Sequence, residues 1–388
     1  MVRKNQGGEK MGLQAGVSKH EITPDRPAWL AGYASRNKPS EGVHDPLFMT
    51  AIVFDDDNTR LAMVSADLCF VPLSVKEQIA AKVQAEASIP TDHLIMAATH
   101  THSGPVTSRK NVDDEWMQSF GDRIVTAINE AASSMGPVKI SVGTGTSEVG
   151  VNRRERKPDG DTTLGHNEDG FMDRQVGVIR ISGESGEPVA TLINYGCHGT
   201  TLGGRNYLIS ADYMGAAVRR VQDAVGGVVT FFNGAPGNVD PFYRVGVNFD
   251  HVEELGDKLA VEVQRVLSEK MVEVASDPIH VIPTEVGLPL KTPREDGNPV
   301  SVISTSVVRI GDLQFVMFPG EMFAQTGLVL KARSSARCPF VISYFCGKSA
   351  GYLPVRAAYQ AGGYEVNSTR HSPDAEEIYV NVVSRLIS

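Results

Sequence analysis

Residues 47–69 read LFMTAIVFDDDNTRLAMVSADLC. Two apolar runs flank the polar DDDNTR, the pattern of a strand, a tight turn and a returning strand. The same arrangement recurs at 175–198, QVGVIRISGESGEPVATLINYGCH, and at 304–321, STSVVRIGDLQFVMFPGE. Each second strand runs out into a polar residue: Asp67, His198 and Glu321 respectively. Three internal hairpins exclude a purely parallel, doubly wound sheet. Between them, 74–87, 114–133, 211–225 and 251–271 carry apolar residues at spacings of three and four, which predicts helices. The expected fold is α/β, with mixed β-sheets, flanking helices and internal hairpins.

The organisation around these pieces is that of one large domain. Residues 1–11 read as a flexible leader and 12–388 as the catalytic domain, with a weak subdomain junction near 275–300, where DPIHVIPTEVGLPLKTPREDGNPV is rich in proline. Two polar stretches, SEVGVNRRERKPDGDTTLGHNEDGFMD at 147–173 and TTLGGRNYLIS after His198, are too long for default connections and read as binding loops.

Composition narrows the function. A net charge of -9 argues against a nucleic-acid footprint, which needs a basic field. RRERK at 153–157 reads as a solvated loop. The N-terminus has no apolar core of a secretory signal, and no run of about 18 apolar residues exists for membrane insertion. Cys69, Cys197 and Cys346 lie in apolar surroundings without zinc-finger spacing, so they read as reduced, buried thiols, and the expected location is cytoplasmic. The dinucleotide, P-loop and serine-elbow signatures are all missing.

The chemistry starts at 95–105, IMAATHTHSGP. Were the strand to continue through His102, His100 and His102 would project from one face. Such a pair suits a metal ligand beside a substrate-polarising group; ordinary structural hydrogen bonding is the other reading. His198 also ends an apolar strand, and Glu321 in FPGEMF would be an expensive carboxylate to bury without a cation. Zinc needs such nitrogen and oxygen donors converging at about 2.0–2.2 Å. Asp67 and Asp212 read either as partners orienting a ligand imidazole or as local caps.

In order along the chain, AGVSKHEITPD, GYASR, HDPLFMTAIVF, VSADL, ATHTHSGP, VNRR, NYGCHGT, FNGAPGNVDP, FPGEMF and GYLPVRAAYQAGGYE resemble the catalytic domain of the neutral, non-lysosomal ceramidases. The resemblance implies a zinc-dependent amide hydrolase with His100, His198, Glu321 and Tyr352 as metal ligands. It implies catalytic roles for His102 at the reacting oxygen, for Arg153 near the reacting group with Arg154 as a competing register, and for Tyr364 as a donor to an oxyanion. The family carries G-D-V-S-P where this chain has GNVDP at 237–241, so Asp240 stands in place of a serine and a serine nucleophile is ruled out there. The chain reads as shorter than full ceramidases and is expected to lack their leader and accessory domain.

The expected activity is metal-activated hydrolysis of an amide, or a related ester or lactone, in a small polar molecule. The arginine-rich loop favours a carboxylated small-molecule substrate over two alkyl chains. A metal-dependent isomerase or lyase, or a noncatalytic binding protein, are the alternatives. A homo-oligomer is expected only from the general prevalence of two-fold dimers.

Overall fold

The computed structural model describes residues 12–108, 110–243 and 246–388; the expected leader at 1–11 lies outside them. All three hairpins form. Phe48–Asp55 pairs antiparallel with Arg60–Ala66, Gln175–Gly183 with Pro188–Tyr195, and Val300–Ile310 with Leu313–Met317. The four predicted helices span Leu73–Ala87, Asp114–Ser133, Asp212–Val225 and Phe249–Glu269.

The main sheet orders its strands as Val228–Asn233, Pro188–Tyr195, Gln175–Gly183, Gly136–Thr146, Gln14–Glu21, Phe48–Asp55, Arg60–Ala66 and Leu94–Ala98. Gln14–Glu21 meets Gly136–Thr146 through just two residue pairs, so the two halves are weakly joined there. The ends are also tied side to side: the Ser65 hydroxyl donates to the Phe231 carbonyl at 2.5 Å. A second sheet contains Ile279–Pro289, Val300–Ile310, Leu313–Met317 and Cys338–Ile342. The proline-rich span near 275–300 thus enters this second sheet, whose first two strands pair over eleven positions.

Period-two alternation explains why the strands read as continuous apolar runs. Met49, Ala51 and Val53 face a core shared with the helices Leu73–Ala87 and Asp114–Ser133. Ile52 and Phe54 point the other way, into a central core with Ile181, Leu192, Val308 and Phe340. Strands buried on both faces need apolar residues at every position. Val178, Ile193 and Phe231 pack beneath the other helix pair, and Val307 and Val316 pack beneath the C-terminal helix Ala375–Ile387. Helices therefore lie outside and three sheet faces meet inside, an α/β architecture with mixed sheets, as expected.

Two local expectations fail. The strand before the histidine pair ends at Ala98, and the 147–173 stretch is no open loop. It forms the hairpin Gly150–Arg156 and Thr162–Asn167, extended by Val239–Pro241. Charged side chains hid this hairpin, because its alternation is polar against polar.

Asp67 is a clamp. Its carboxylate accepts from the Phe48 amide at 2.9 Å and from the Thr99 hydroxyl at 3.2 Å, and it bonds no imidazole. Burial pushes it up to about 6. The folded state thus holds a proton more tightly than the unfolded chain, whose aspartate titrates near 3.8. Its contribution is fully present below pH 3.8 and is lost as pH rises through about 6. Asp67→Asn should therefore melt progressively higher relative to the wild type as pH goes from 4 to 7.5, by up to about 3 kcal/mol. A pH-independent difference between the two melting curves would contradict this.

Candidate metal centre

Three strands deliver the predicted donors to one buried point. Leu94–Ala98 leads to His100, Pro188–Tyr195 to His198, and Leu313–Met317 to Glu321. His100 adopts φ +72°, so the chain turns where the sequence suggested a continuing strand. The two imidazoles still meet, with the Nε2 atoms of His100 and His102 2.9 Å apart. The turn, and not the pleat, brings them together.

One buried amide fastens the two histidine turns. Asn233, at the end of Val228–Asn233, donates to the carbonyls of Thr99 and Cys197, both at 2.9 Å, and accepts from the Cys197 amide at 3.2 Å. Thr99 and Cys197 immediately precede His100 and His198. Its own carbonyl accepts from Ser343 at 2.9 Å, which ties in the second sheet. Asn233 lies in the FNGAPGNVDP motif, but nothing in the motif says that its amide bridges these turns.

The outer nitrogens fix the tautomers. His100 Nδ1 lies 2.8 Å from the Cys69 carbonyl, and His198 Nδ1 lies 3.0 Å from the carbonyls of both Pro236 and Val239. Carbonyls accept only, so each Nδ1 carries the proton and each Nε2 presents its lone pair inward. Between them lies Glu321, its Oε2 2.8 Å from His198 Nε2 and 4.0 Å from His100 Nε2. The three donor atoms lie within 4.8 Å of one another, all on buried residues. Burial holds His100 down to about 3, so it is neutral. Burial opposes ionisation of Glu321, but the positive charge of Arg153 pulls the other way, and its carboxyl is held below the ordinary carboxylate range. Two imidazole Nε2 atoms and a carboxylate facing one another fit a divalent cation, and carbonyl-anchored imidazoles are its usual outer shell.

Tyr352 joins the cluster by strand pairing. Gly320–Met322 runs parallel to Gly351–Leu353, and Glu321 stands opposite Tyr352. The Tyr352 hydroxyl accepts from Arg153 Nη2 at 3.1 Å and bonds the Glu321 carboxylate. Tyr364 is at the rim, 48% exposed, its ring edge-on to Tyr352 with centroids 5.7 Å apart.

Arg153 overturns its sequence reading as an exposed charge. It is 4% exposed and fully engaged: Nη1 donates to Asp240 at 3.0 Å and Nε to Glu365 at 2.8 Å. Arg154 takes the other oxygen of Glu365. Two arginines thus face three carboxylates, and Glu321 is the surplus negative charge. Glu365 escaped the sequence reading, although it directly follows Tyr364 and a buried glutamate between arginines is the natural partner for VNRR. Asp240, which the resemblance sets in place of a serine, is an ion-pair partner of Arg153. Asp212, the first residue of its helix, bonds no imidazole: it accepts from the Thr201 hydroxyl at 2.6 Å and from the Tyr213 amide at 2.7 Å.

His102 is held by a glycine. Gly32, in GYASR, has φ +93°, and a Cβ there would lie 2.3 Å from His102 Nδ1. That Nδ1 is buried without a protein partner.

Residues 13–243 match the family of neutral/alkaline non-lysosomal ceramidases, N-terminal. The chain is 31% identical over 229 residues to neutral ceramidase A of Dictyostelium discoideum, a match covering 53% of this chain and 31% of that protein. It is 24% identical over 292 residues to the neutral ceramidase of Pseudomonas aeruginosa, covering 68% and 43% respectively. The matches thus span less than half the length of these relatives. The crystal structure of neutral ceramidase from Pseudomonas aeruginosa superposes with a TM-score of 0.82 at 21% identity, over 97% of this chain and 74% of that one. With its family match over more than half of its length, the chain belongs to the neutral/alkaline non-lysosomal ceramidases.

Proposed function

We propose that the protein hydrolyses the amide bond of an N-acylated lipid of the ceramide class, with zinc held by His100, His198, Glu321 and Tyr352. The observation that carries this reading is the inward convergence of two anchored Nε2 lone pairs and the Glu321 carboxylate. Nitrogen and oxygen donors in this number suit zinc. The relatives are named ceramidases, and the signal that favoured a small polar substrate is gone, because Arg153 and Arg154 are consumed by Asp240 and Glu365.

Zinc bound there supplies Lewis acidity, polarising a carbonyl and lowering the pKa of water. The chain's own residues do the rest. His102 places its Nε2 2.9 Å from His100 Nε2, beside the converging donors, and is the residue assigned to hold a proton there. That proton is the one we assign to the departing amine nitrogen as the C–N bond breaks and the water oxygen stays on the acyl carbon. Tyr364 is the donor assigned to the carbonyl oxygen as it gains charge. Arg153 acts through others: its guanidinium holds the Tyr352 hydroxyl and lies 3.2 Å from His198 Nε2.

Metal-free protein should not release fatty acid from N-octanoylsphingosine, and one equivalent of zinc should restore release. Full turnover by the metal-free protein would contradict the reading, and cleavage of N-acylamino acids but not of N-octanoylsphingosine would return the small polar substrate. Asn233→Ala, which frees both histidine turns, should weaken zinc binding roughly 10- to 100-fold, the scale seen for outer-shell partners; unchanged affinity in a chelator competition would exclude that role. Gly32→Ala should keep its zinc but lose about tenfold or more in kcat, since the new methyl displaces His102. Wild-type kcat in that variant would remove His102 from proton transfer.

A further inference from the structure

Tyr344 departs from ordinary packing in three independent ways. Its backbone takes φ +56°, a conformation that bulky residues rarely adopt. That backbone is pinned on both sides, its amide donating to the Gly320 carbonyl at 3.2 Å and its carbonyl accepting from the Ala98 amide at 3.3 Å. Those neighbours lead into Glu321 and toward His100. Its ring lies flat on the His100 imidazole, with centroids 3.7 Å apart and planes within 7°. Phe70 closes the stack edge-on to both rings, at 5.0 Å from His100 and 5.7 Å from Tyr344.

The hydroxyl is the third departure. Tyr344 is 1% exposed, and its oxygen has no hydrogen-bond partner among the described residues. A buried phenol without a partner destabilises the fold, and phenylalanine would supply the same ring without that penalty. Its ring also stands edge-on to His198, with centroids 6.5 Å apart, so it lies beside the converging donors.

We propose that Tyr344 is an unassigned residue of the reacting site: its ring sets the plane of His100, and its hydroxyl is kept free to donate to an oxygen of the bound N-acyl amide. The strained backbone then has a reason, because it lays the ring flat on His100. This rests on the proposed amide substrate.

Two substitutions separate the ring from the hydroxyl. Tyr344→Phe should bind zinc with wild-type affinity and melt no lower than the wild type, yet lose roughly 10- to 1000-fold in kcat/KM on N-octanoylsphingosine. Tyr344→Leu should also weaken zinc binding by tenfold or more in a chelator competition. Wild-type kcat/KM in Tyr344→Phe overturns the hydroxyl's role, and wild-type zinc affinity in Tyr344→Leu overturns the ring's. Should the wild type not hydrolyse the lipid, the functional reading fails and binding decides. N-octanoylsphingosine should then raise the melting temperature of the wild type but not of Tyr344→Phe. Equal shifts in both, or no shift in either, would overturn the inference.

Discussion

A single buried side-chain amide holds the two histidine turns together. Asn233 spends both N–H groups and its carbonyl oxygen on the main chain of Thr99 and Cys197, while its backbone carbonyl secures Ser343. Each of these contacts lies within one or two residues of His100, His198 or Tyr344. The hydrophobic cores carry three sheets to a common junction, but apolar contact is non-directional and cannot set the angle between two imidazoles. Directional hydrogen bonds do that, and in a buried setting each one broken leaves a costly orphan. The centre is therefore stiff for the same reason that it is buried.

Electrostatics extends this logic. Asp240 and Glu365 neutralise Arg153 and Arg154, which removes two positive charges from the competition for Glu321. What remains is a carboxylate among imidazoles whose Nδ1 protons point outward to carbonyls. An acid at Asp240 fits this scheme, since it gives the buried guanidinium a second partner. A buried arginine with one partner removed is strongly destabilising, so Asp240 and Glu365 are parts of one unit.

Much of this was legible in the sequence. Period-two apolar runs and intervening turns located the three hairpins, and three-to-four spacing located the four helices. His198 and Glu321 stood out because each follows such a run. The His100–His102 pair was found through an argument that does not hold: the strand stops at Ala98, and a left-handed residue makes the encounter. The hairpin Gly150–Arg156 and Thr162–Asn167 was obscured by its charges. Asn233, Tyr344 and Glu365 were out of reach for a common reason. Their roles lie in partners between about 36 and more than 200 positions away, and no local period reports such a contact. The solvated-loop reading of 153–157 failed for Arg153 because sequence shows a charge but not the two carboxylates that bury it.

The most direct test is diffraction from crystals grown with one equivalent of zinc, measured on both sides of the zinc absorption edge. The account predicts one anomalous peak per chain, bounded by Nε2 of His100, Nε2 of His198, the Glu321 carboxylate and the Tyr352 hydroxyl. No peak, or a peak bounded by Cys69 Sγ and His102 in place of His198 and Glu321, would contradict it.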